Sequence, residues 1–401
     1  MKLTILGGSS PFTLALFIQA AKCKANPLWR FESIVLYGRN ESVLQHLTAL
    51  GNSLCFSDSP RISYELDLPY ALLGTQIVII QMRFGDLELR KNIELLCKSE
   101  NQFADETLGP GGLCNALVNC SNWLQLGLAI KKYSPDALVL NLINPLSLSS
   151  YQIASVGLNV VGLCEGPLDT VQSIATLLNC QLSDLTWKYT GLNHRGLVHS
   201  IQLCEEPLLR KHFTANCQNS IARFYRPDLE AFVSKELFIG LDRRHWAYGR
   251  ASIVQNARDY LIGVIDDYDR ILNEEILSFR PSPWYSMAVL PFISAWTGQS
   301  CSWKATTSSF NGNMFTESRC IVDKELLTII DDPAPHGEAA IFVEQLKEHE
   351  RACIDAIKSP TLSAVKSALA LDPTVSDINL HNTAQTVFRM YESQYERGQF
   401  Q

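Results

Sequence analysis

Short apolar runs alternate with amphipathic stretches through the first half of the chain. The strand-like runs lie at residues 3–6, 33–37, 76–81, 138–142 and 160–163, and the helix-like stretches at residues 14–24, 44–54 and 116–133. Runs this apolar are typical of strands that are buried on both faces. Because helices separate them, we predict an α/β domain over residues 1–168, built on a parallel, doubly wound sheet.

The second half of the chain has a different pattern of hydrophobic and polar residues. After about residue 168 the segments lengthen, aromatic and charged residues cluster, and helical spacing dominates residues 228–277 and 338–357. We therefore predict a second, α+β lobe over residues 169–401 for substrate, metal and subunit contacts. No linker rich in proline and glycine separates the halves, so the two lobes are expected to share a core.

Composition and charge narrow the possible partners. The formal charge of −7 gives no electrostatic reason to bind nucleic acid or an anionic membrane. No apolar run reaches the roughly 18 residues of a membrane span, and the N-terminal run leads directly into glycines, as a first strand does and a signal peptide does not. The 12 cysteines are scattered singly, which is typical of reduced thiols. We expect a cytoplasmic protein.

A glycine turn follows the first predicted strand. It contains Gly7, Gly8, Ser9, Ser10 and Thr13, and the next helix-like stretch follows directly after Thr13. In Rossmann-type domains such a turn lets the backbone approach a pyrophosphate, which the helix N-terminus also attracts. An ordinary tight turn is the alternative, but the position after the very first strand favours a dinucleotide, NAD or NADP.

The second predicted strand ends at Tyr37, and Gly38 and Arg39 follow it. An NAD enzyme usually has Asp or Glu here to bind the ribose hydroxyls. Arg39 could instead accept the 2′-phosphate of NADP, or it could be a solvated loop residue.

Several short motifs follow predicted strands in a fixed order. They are Met82-Arg83-Phe84-Gly85-Asp86-Leu87-Glu88-Leu89-Arg90, Glu106-Thr107-Leu108-Gly109-Pro110-Gly111-Gly112, Asn144-Pro145, Gly162-Leu163-Cys164-Glu165 and Gly191-Leu192-Asn193-His194. In this order and spacing they resemble the motifs of glycoside hydrolase family 4, the NAD- and metal-dependent glycosidases. The resemblance extends over essentially the whole chain, and it implies a Rossmann-type sheet like that of lactate and malate dehydrogenases.

The resemblance also implies a reaction. In the family, NAD oxidises the C3 hydroxyl of the sugar, which acidifies the proton on C2. A divalent metal, usually Mn²⁺, binds the C2 and C3 oxygens and stabilises the enediolate. A base removes the C2 proton, the aglycon leaves from C1, water adds, and the reduced cofactor returns its hydride. No pair of opposed carboxylates is needed.

The resemblance implies roles for individual residues. Cys164 and His194 match the two protein ligands of the metal. Glu165 could protonate the leaving group or merely line the pocket. Tyr248 is the nearest counterpart of the tyrosine base that acts on β-linked substrates. Asn144 matches an asparagine that contacts sugar hydroxyls, although it could instead be a polar cap at a strand end.

Further matches concern the substrate. Asn193 precedes the metal-ligand histidine, and Arg83, Arg90 and Arg280 could bind a sugar 6-phosphate by their fork geometry. Structural or surface arginines are the alternative. The chain also departs from the family pattern, with Ser99 where a lysine is frequent, Val118-Asn119 where Arg-Thr is usual, and Pro281-Ser282-Pro283 where glycines are frequent. These departures predict a different sugar or lost activity.

Two other functions remain open at this point. A 2-hydroxy acid dehydrogenase of the lactate/malate type would need a catalytic histidine paired with a carboxylate and no metal, and the pairing of Cys164 with Asn193-His194 argues against it. A catalytically inactive paralogue that binds dinucleotide or sugar is favoured by the departures. The expected partners are a small sugar or sugar phosphate and further copies of this chain, as a homodimer or homotetramer by analogy.

Overall fold

The fold is taken from a computed structural model that describes residues 1–54, 60–208, 213, 221–267, 270 and 282–396. The first half contains six parallel strands: β1 Lys2–Leu6, β2 Ser33–Tyr37, β3 Arg61–Glu65, β4 Ile77–Ile80, β5 Leu138–Asn141 and β6 Asn159–Gly162. Their order across the sheet is β3-β2-β1-β4-β5-β6, the order of Rossmann domains. The predicted parallel, doubly wound sheet is confirmed.

Seven helices accompany these strands among the described residues. They are α1 Thr13–Lys22, α2 Glu41–Leu54, α3 Leu68–Leu72, α4 Leu87–Ser99, α5 Gly109–Tyr133, α6 Leu146–Ala154 and α7 Gly166–Leu178. Strand β3 was not expected from the sequence. It is an edge strand in which only Ile62 is buried, so it lacks the apolar run that identifies its neighbours.

The second half extends the same sheet with antiparallel strands. These are β7 Leu185–Leu192, β8 Arg195–Leu203, β9 Glu206–Pro207, β10 Tyr225–Arg226, β11 Ala231–Val233, β12 Trp303–Asn311, β13 Met314–Asp323 and β14 Leu326–Ile329. Strand β12 pairs with β6 at Ser308 and Gly162, which joins the two halves. The described helices are α8 Lys235–Leu241, α9 Arg250–Gly263, α10 Leu290–Trp296, α11 Glu338–Lys358, α12 Leu362–Leu371 and α13 Leu380–Glu396.

The expected helices of the second half are partly confirmed. Helix α11 covers the predicted residues 338–357. Of the predicted range 228–277, the described part contains strand β11 as well as α8 and α9, and residues 268–269 and 271–277 lie outside the described residues. The lobes do share a core, because one apolar cluster contains Leu6 of β1 together with Leu346 of α11 and Val365 of α12. In the described ranges, none of the helices combines the length and the apolar character that crossing a membrane requires.

Candidate active site

The glycine turn packs tightly onto the neighbouring strands. The amides of Gly7 and Gly8 donate to the carbonyl of Tyr37 at 3.0 and 2.7 Å. Gly7 has a φ of +92°, and a Cβ there would lie 2.7 Å from the backbone of Met82. A Cβ on Gly8 would lie 2.8 Å from Cα of Leu36. Both glycines are therefore required for the close approach of β1, β2 and β4.

The hydroxyls of the turn have different environments. Thr13 is fully buried, and its Oγ1 accepts a hydrogen bond from Nε2 of Gln81 at 2.8 Å. Oε1 of Gln81 in turn accepts from the hydroxyl of Tyr285 at 2.5 Å. Thr13 thus fastens the turn to the second lobe, whereas Ser9 and Ser10 are half-buried and lie at the surface of the turn.

A row of paired residues across four strands carries the two predicted metal ligands. Gly162 of β6 pairs with Ser308 of β12, Ser308 pairs with Glu317 of β13, and Glu317 pairs with Gly191 of β7. Cys164 follows Gly162 by two residues, and His194 follows Gly191 by three. Because β6 and β7 run in opposite directions, the register alone does not bring these two residues together. Side-chain contacts do: Asn193 forms a hydrogen bond with the Cys164 thiol, and the charge of Glu317 acts on both Cys164 and His194.

The Cys164 thiol is held at the start of α7. Its Sγ accepts a hydrogen bond from the amide of Gly166 at 3.4 Å. Burial raises the pKa of this thiol well above its ordinary value, and the charges of Glu165 and Glu317 raise it further. Without a cation beside it, the thiol is therefore protonated at neutral pH.

His194 occupies the turn between β7 and β8 with a left-handed φ of 60°. Its carbonyl accepts a hydrogen bond from the hydroxyl of Ser234. Burial lowers the pKa of the ring, but the carboxylates around it outweigh burial and raise the pKa above 6.5. These carboxylates belong to Glu236, Asp105, Glu317 and Glu165. Nδ1 of His194 is buried and has no hydrogen-bond partner among the described residues.

Glu317 is the central acid of the site, and the sequence analysis missed it. It is 1% exposed, and its Oε2 accepts a hydrogen bond from the Tyr189 hydroxyl at 2.5 Å. Its Oε1 lies 3.5 Å from Nδ2 of Asn193, and burial raises the pKa of Glu317 to about 7. A single carboxylate in a strand carries no local signal of such a role.

The residues present would fit a cation with an open coordination sphere. Cys164 could supply a sulfur ligand and His194 a nitrogen, because Nδ1 of His194 is buried without a hydrogen-bond partner in the described part of the chain, as is Oδ1 of Asn193. Within the same described ranges, no group of three or more His, Cys, Asp or Glu side chains could hold a metal alone. Substrate oxygens and water would have to complete the shell.

Two of the predicted phosphate ligands come together around a third charged residue. Oε2 of Glu106 accepts a hydrogen bond from Nη2 of Arg83 at 2.9 Å. The same oxygen forms an ion pair with Nη1 of Arg90 at 3.2 Å. Although burial alone would raise the pKa of Glu106, the two guanidinium groups lower it to about 2. These three residues line one cleft together with Asn115. Arg280 lies outside the described residues.

Two further predicted residues, Asn144 and Tyr248, are held by hydrogen bonds outside the lining of this cleft. The Asn144 carbonyl accepts a hydrogen bond from Nδ2 of Asn115 at 3.0 Å, and the Asn144 side chain is half-buried. The Tyr248 hydroxyl donates to the carbonyl of Gln102 at 2.9 Å. In the described structure no hydrogen bond or ion pair joins Tyr248 to Cys164 or His194.

A second acid enters the site from the loop after α4. Oδ1 of Asp105 accepts the amide of Thr107 at 2.8 Å, and its Oδ2 receives Nη1 of Arg250 at 3.0 Å. Burial raises the pKa of Asp105, and the positive charge of Arg250 opposes this. Arg250 was not singled out from the sequence, because nothing in its local pattern distinguishes it from other arginines.

Comparison with known proteins shows what the N-terminal half of the chain is similar to. Residues 2–180 match the model of the family 4 glycosyl hydrolases. Phospho-alpha-glucosidase PagL of Clostridium acetobutylicum is 27% identical over 199 residues, 48% of this chain and 44% of that protein. A probable 6-phospho-beta-glucosidase of Bacillus subtilis is 23% identical over 349 residues, 78% of each chain. The match to PagL thus spans less than half the length of that relative.

The fold has solved counterparts over its full length. The 6-phospho-beta glucosidase of Thermotoga maritima, solved with NAD and glucose-6-phosphate, superposes with a TM-score of 0.82 at 19% identity, over 99% of each chain. Likeness at this identity establishes the fold. Together with the family match over residues 2–180, which is less than half of the chain, it shows that the N-terminal half is similar to the family 4 glycosyl hydrolases and that the whole chain shares the fold of this glucosidase.

Proposed function

We propose that this protein is a glycosidase that cleaves a 6-phosphorylated glycoside and depends on a nicotinamide dinucleotide and a divalent cation such as Mn²⁺. The observation that carries the proposal is the cluster of Cys164, Asn193 and His194 beside Glu317, in which buried atoms of His194 and Asn193 have no hydrogen-bond partner among the described residues. A lactate-type dehydrogenase uses no metal, so it does not require a thiol and an imidazole placed together as metal ligands.

When bound, the dinucleotide would supply redox chemistry by accepting and returning a hydride, and the divalent cation would supply Lewis-acid chemistry by polarising sugar oxygens. Cys164 and His194 would hold the cation. Glu317 orients Asn193 through its Oε1 and is itself fixed by the Tyr189 hydroxyl. The buried acid thereby keeps the β7–β8 turn in place for coordination.

Glu165 is the proposed proton donor to the leaving group. Burial raises the pKa of Glu165, so the carboxyl group keeps its proton to higher pH than an exposed glutamate does. A protonated carboxyl beside the sugar can transfer its proton to the departing oxygen. The charge on His194 opposes this shift, so loss of the histidine would raise the pKa further.

Arg83 and Arg90 are the proposed ligands of the 6-phosphate. Both already contact Glu106, so a phosphate would join or displace this carboxylate. The guanidinium groups are held in place before substrate arrives, which reduces the entropy cost of binding. Asn144 and Asn193 are proposed to contact the sugar hydroxyls, because an amide side chain can both donate to a hydroxyl group and accept from it.

Tyr248 remains the proposed base for the C2 proton. To act as one, its hydroxyl would have to leave the carbonyl of Gln102. Tyr248→Phe tests the role. A loss of turnover of roughly 100-fold or more supports general-base catalysis, whereas unchanged turnover with lowered stability assigns the hydroxyl to anchoring residue 102.

One assay tests the function as a whole. Nitrophenyl 6-phosphoglycosides of both anomers and their unphosphorylated counterparts are incubated with the protein, with and without Mn²⁺, NAD⁺, NADP⁺ and a reductant. We expect release of nitrophenol only from a phosphorylated substrate and only with cation and dinucleotide. Cys164→Ser should abolish release, whereas Cys180→Ser, outside the site, should not. Dinucleotide binding without any turnover would favour the inactive paralogue.

We further propose that the protein acts in the cytoplasm and as a homodimer or homotetramer. The ten cysteines in the described part of the chain are all free, which suits a reducing compartment. Light scattering after gel filtration measures the oligomer directly, and a monomer at micromolar concentration would refute this part of the proposal.

A further inference from the structure

Arg39 lies beside the glycine turn that would bind the dinucleotide. Tyr37, the last residue of β2, pairs with Leu6, the last residue of β1, and its carbonyl accepts the amides of Gly7 and Gly8. Arg39 follows Tyr37 by two residues. In Rossmann domains the chain at this point passes the ribose of the adenosine half of the cofactor.

Position 38 cannot supply the carboxylate that an NAD enzyme uses there. A Cβ on Gly38 would lie 2.3 Å from Oγ of Ser9 and 2.8 Å from the Ser9 amide nitrogen. The hydroxyl could rotate away, but the amide belongs to the turn and cannot. Ser9 therefore occupies the space into which an acidic side chain at position 38 would extend.

Arg39 itself is exposed and available. It has no hydrogen bond and no ion pair with any other described residue. Two nearby acids are engaged elsewhere: Glu41 accepts the Tyr64 hydroxyl at 3.0 Å, and Asp67 accepts the Tyr70 amide at 3.4 Å. The half-buried Ser9 hydroxyl likewise has no partner among the residues described.

We propose that Arg39 and Ser9 form a subsite for the 2′-phosphate of NADP, so that this chain prefers NADP to NAD. The inference rests on the proposed function, because it names the dinucleotide that the same turn would take. The guanidinium fork can donate two hydrogen bonds to phosphate oxygens, and the serine hydroxyl can donate a third. The 2′-hydroxyl of NAD would lie beside a cation, and no carboxylate at position 38 would accept a hydrogen bond from it.

The experiment measures binding rather than turnover. Calorimetry gives Kd for NADP⁺ and NAD⁺ with the full chain, in the absence of metal and substrate. We expect NADP⁺ to bind at least about tenfold more tightly, as charge-assisted hydrogen bonds to a phosphate imply. Arg39→Gln should remove this preference by weakening the binding of NADP⁺ and not that of NAD⁺. Arg39→Lys should retain part of the preference, because lysine keeps the positive charge but lacks the forked guanidinium group.

A matched control comes from the opposite end of the same strand. Arg30 is exposed and precedes β2, so Arg30→Gln removes an equal surface charge and should leave both constants unchanged. If NAD⁺ binds as tightly as NADP⁺ and Arg39→Gln changes neither constant, the 2′-phosphate subsite is refuted while the glycosidase proposal stands. If neither dinucleotide binds the wild-type chain, both proposals fail.

Discussion

Nη1 of Arg195 lies 2.6 Å from Nδ1 of His349, and both side chains are almost fully buried. Since a guanidinium can only donate, Nδ1 of His349 must accept, and its proton is on Nε2. Burial lowers the pKa of His349, which keeps the ring neutral. Nε2 lies 3.4 Å from Oδ2 of Asp372, which also accepts the Gly109 amide at 3.1 Å. These contacts connect the residue after His194 to the first turn of α5.

Loss of the buried acid in this network should be costly. Glu350, fully buried, pairs with Arg195, and Glu350→Ala would leave the guanidinium charge uncompensated. We expect a loss of about 3–5 kcal/mol in the free energy of unfolding. Urea unfolding followed by circular dichroism measures it.

The next residue along α11 provides the control. Arg351 pairs at the surface with Glu344, so Arg351→Ala should cost less than about 1 kcal/mol. Equal effects of the two substitutions would mean that the buried pair contributes no more than a surface pair does.

The parts of the site that the sequence predicted follow the ends of parallel strands. The glycine turn, Arg39 and Cys164 each come directly after β1, β2 or β6, where local pattern and topology together define the binding edge. Glu317 and Tyr189 could not be found in this way. They meet because β7 lies beside β13, an antiparallel pairing between segments that are 128 residues apart.

Lowering the pH should reduce the free energy of unfolding, because Glu106 becomes protonated. Its pKa is lowered from 4.5 to about 2, so its contribution to stability is complete above pH 4.5 and is lost as the pH falls towards 2. The shift corresponds to at most about 3 kcal/mol. Glu106→Gln should therefore reduce the difference in unfolding free energy between pH 6 and pH 3.

Glu88 serves as the comparison for this measurement. It is exposed, and among the described residues it pairs with Lys91 of the same helix alone, so Glu88→Gln should leave the pH dependence as in the wild type. An acid transition that Glu106→Gln leaves unchanged would show that the two arginines do not stabilise the charged form of this carboxylate.

The backbone of the dinucleotide turn should not tolerate a side chain at position 7. Gly7→Ala places a Cβ 2.7 Å from the Met82 backbone at a φ of +92°. We expect a loss of about 1–3 kcal/mol in thermal unfolding experiments, with weaker dinucleotide binding. Gly263→Ala, in α9 with open space around it, should be neutral or slightly stabilising. A Gly7→Ala protein as stable as the wild type would contradict the tight packing of β1 on β4.

Binding of Mn²⁺ should release a proton from Cys164. Burial, Glu165 and Glu317 raise the pKa of the thiol, so it is protonated near neutral pH and must lose its proton to become a ligand. Apparent affinity should then rise by about tenfold or more per pH unit around neutral pH, and more steeply at lower pH, where His194, whose pKa the surrounding carboxylates raise, must also lose a proton. Electron paramagnetic resonance of free Mn²⁺ measures this affinity.

Cys164→Ser should weaken binding and reduce the slope of the pH dependence by one proton, whereas Cys180→Ser, outside the site, should preserve both the affinity and the slope. Dinucleotide affinity should be unchanged in both variants, because the turn at β1 shares no side chain with the cation site. Affinity for Mn²⁺ that is independent of pH and unaffected by Cys164→Ser would exclude the thiol as a ligand, and with it the proposed cation site.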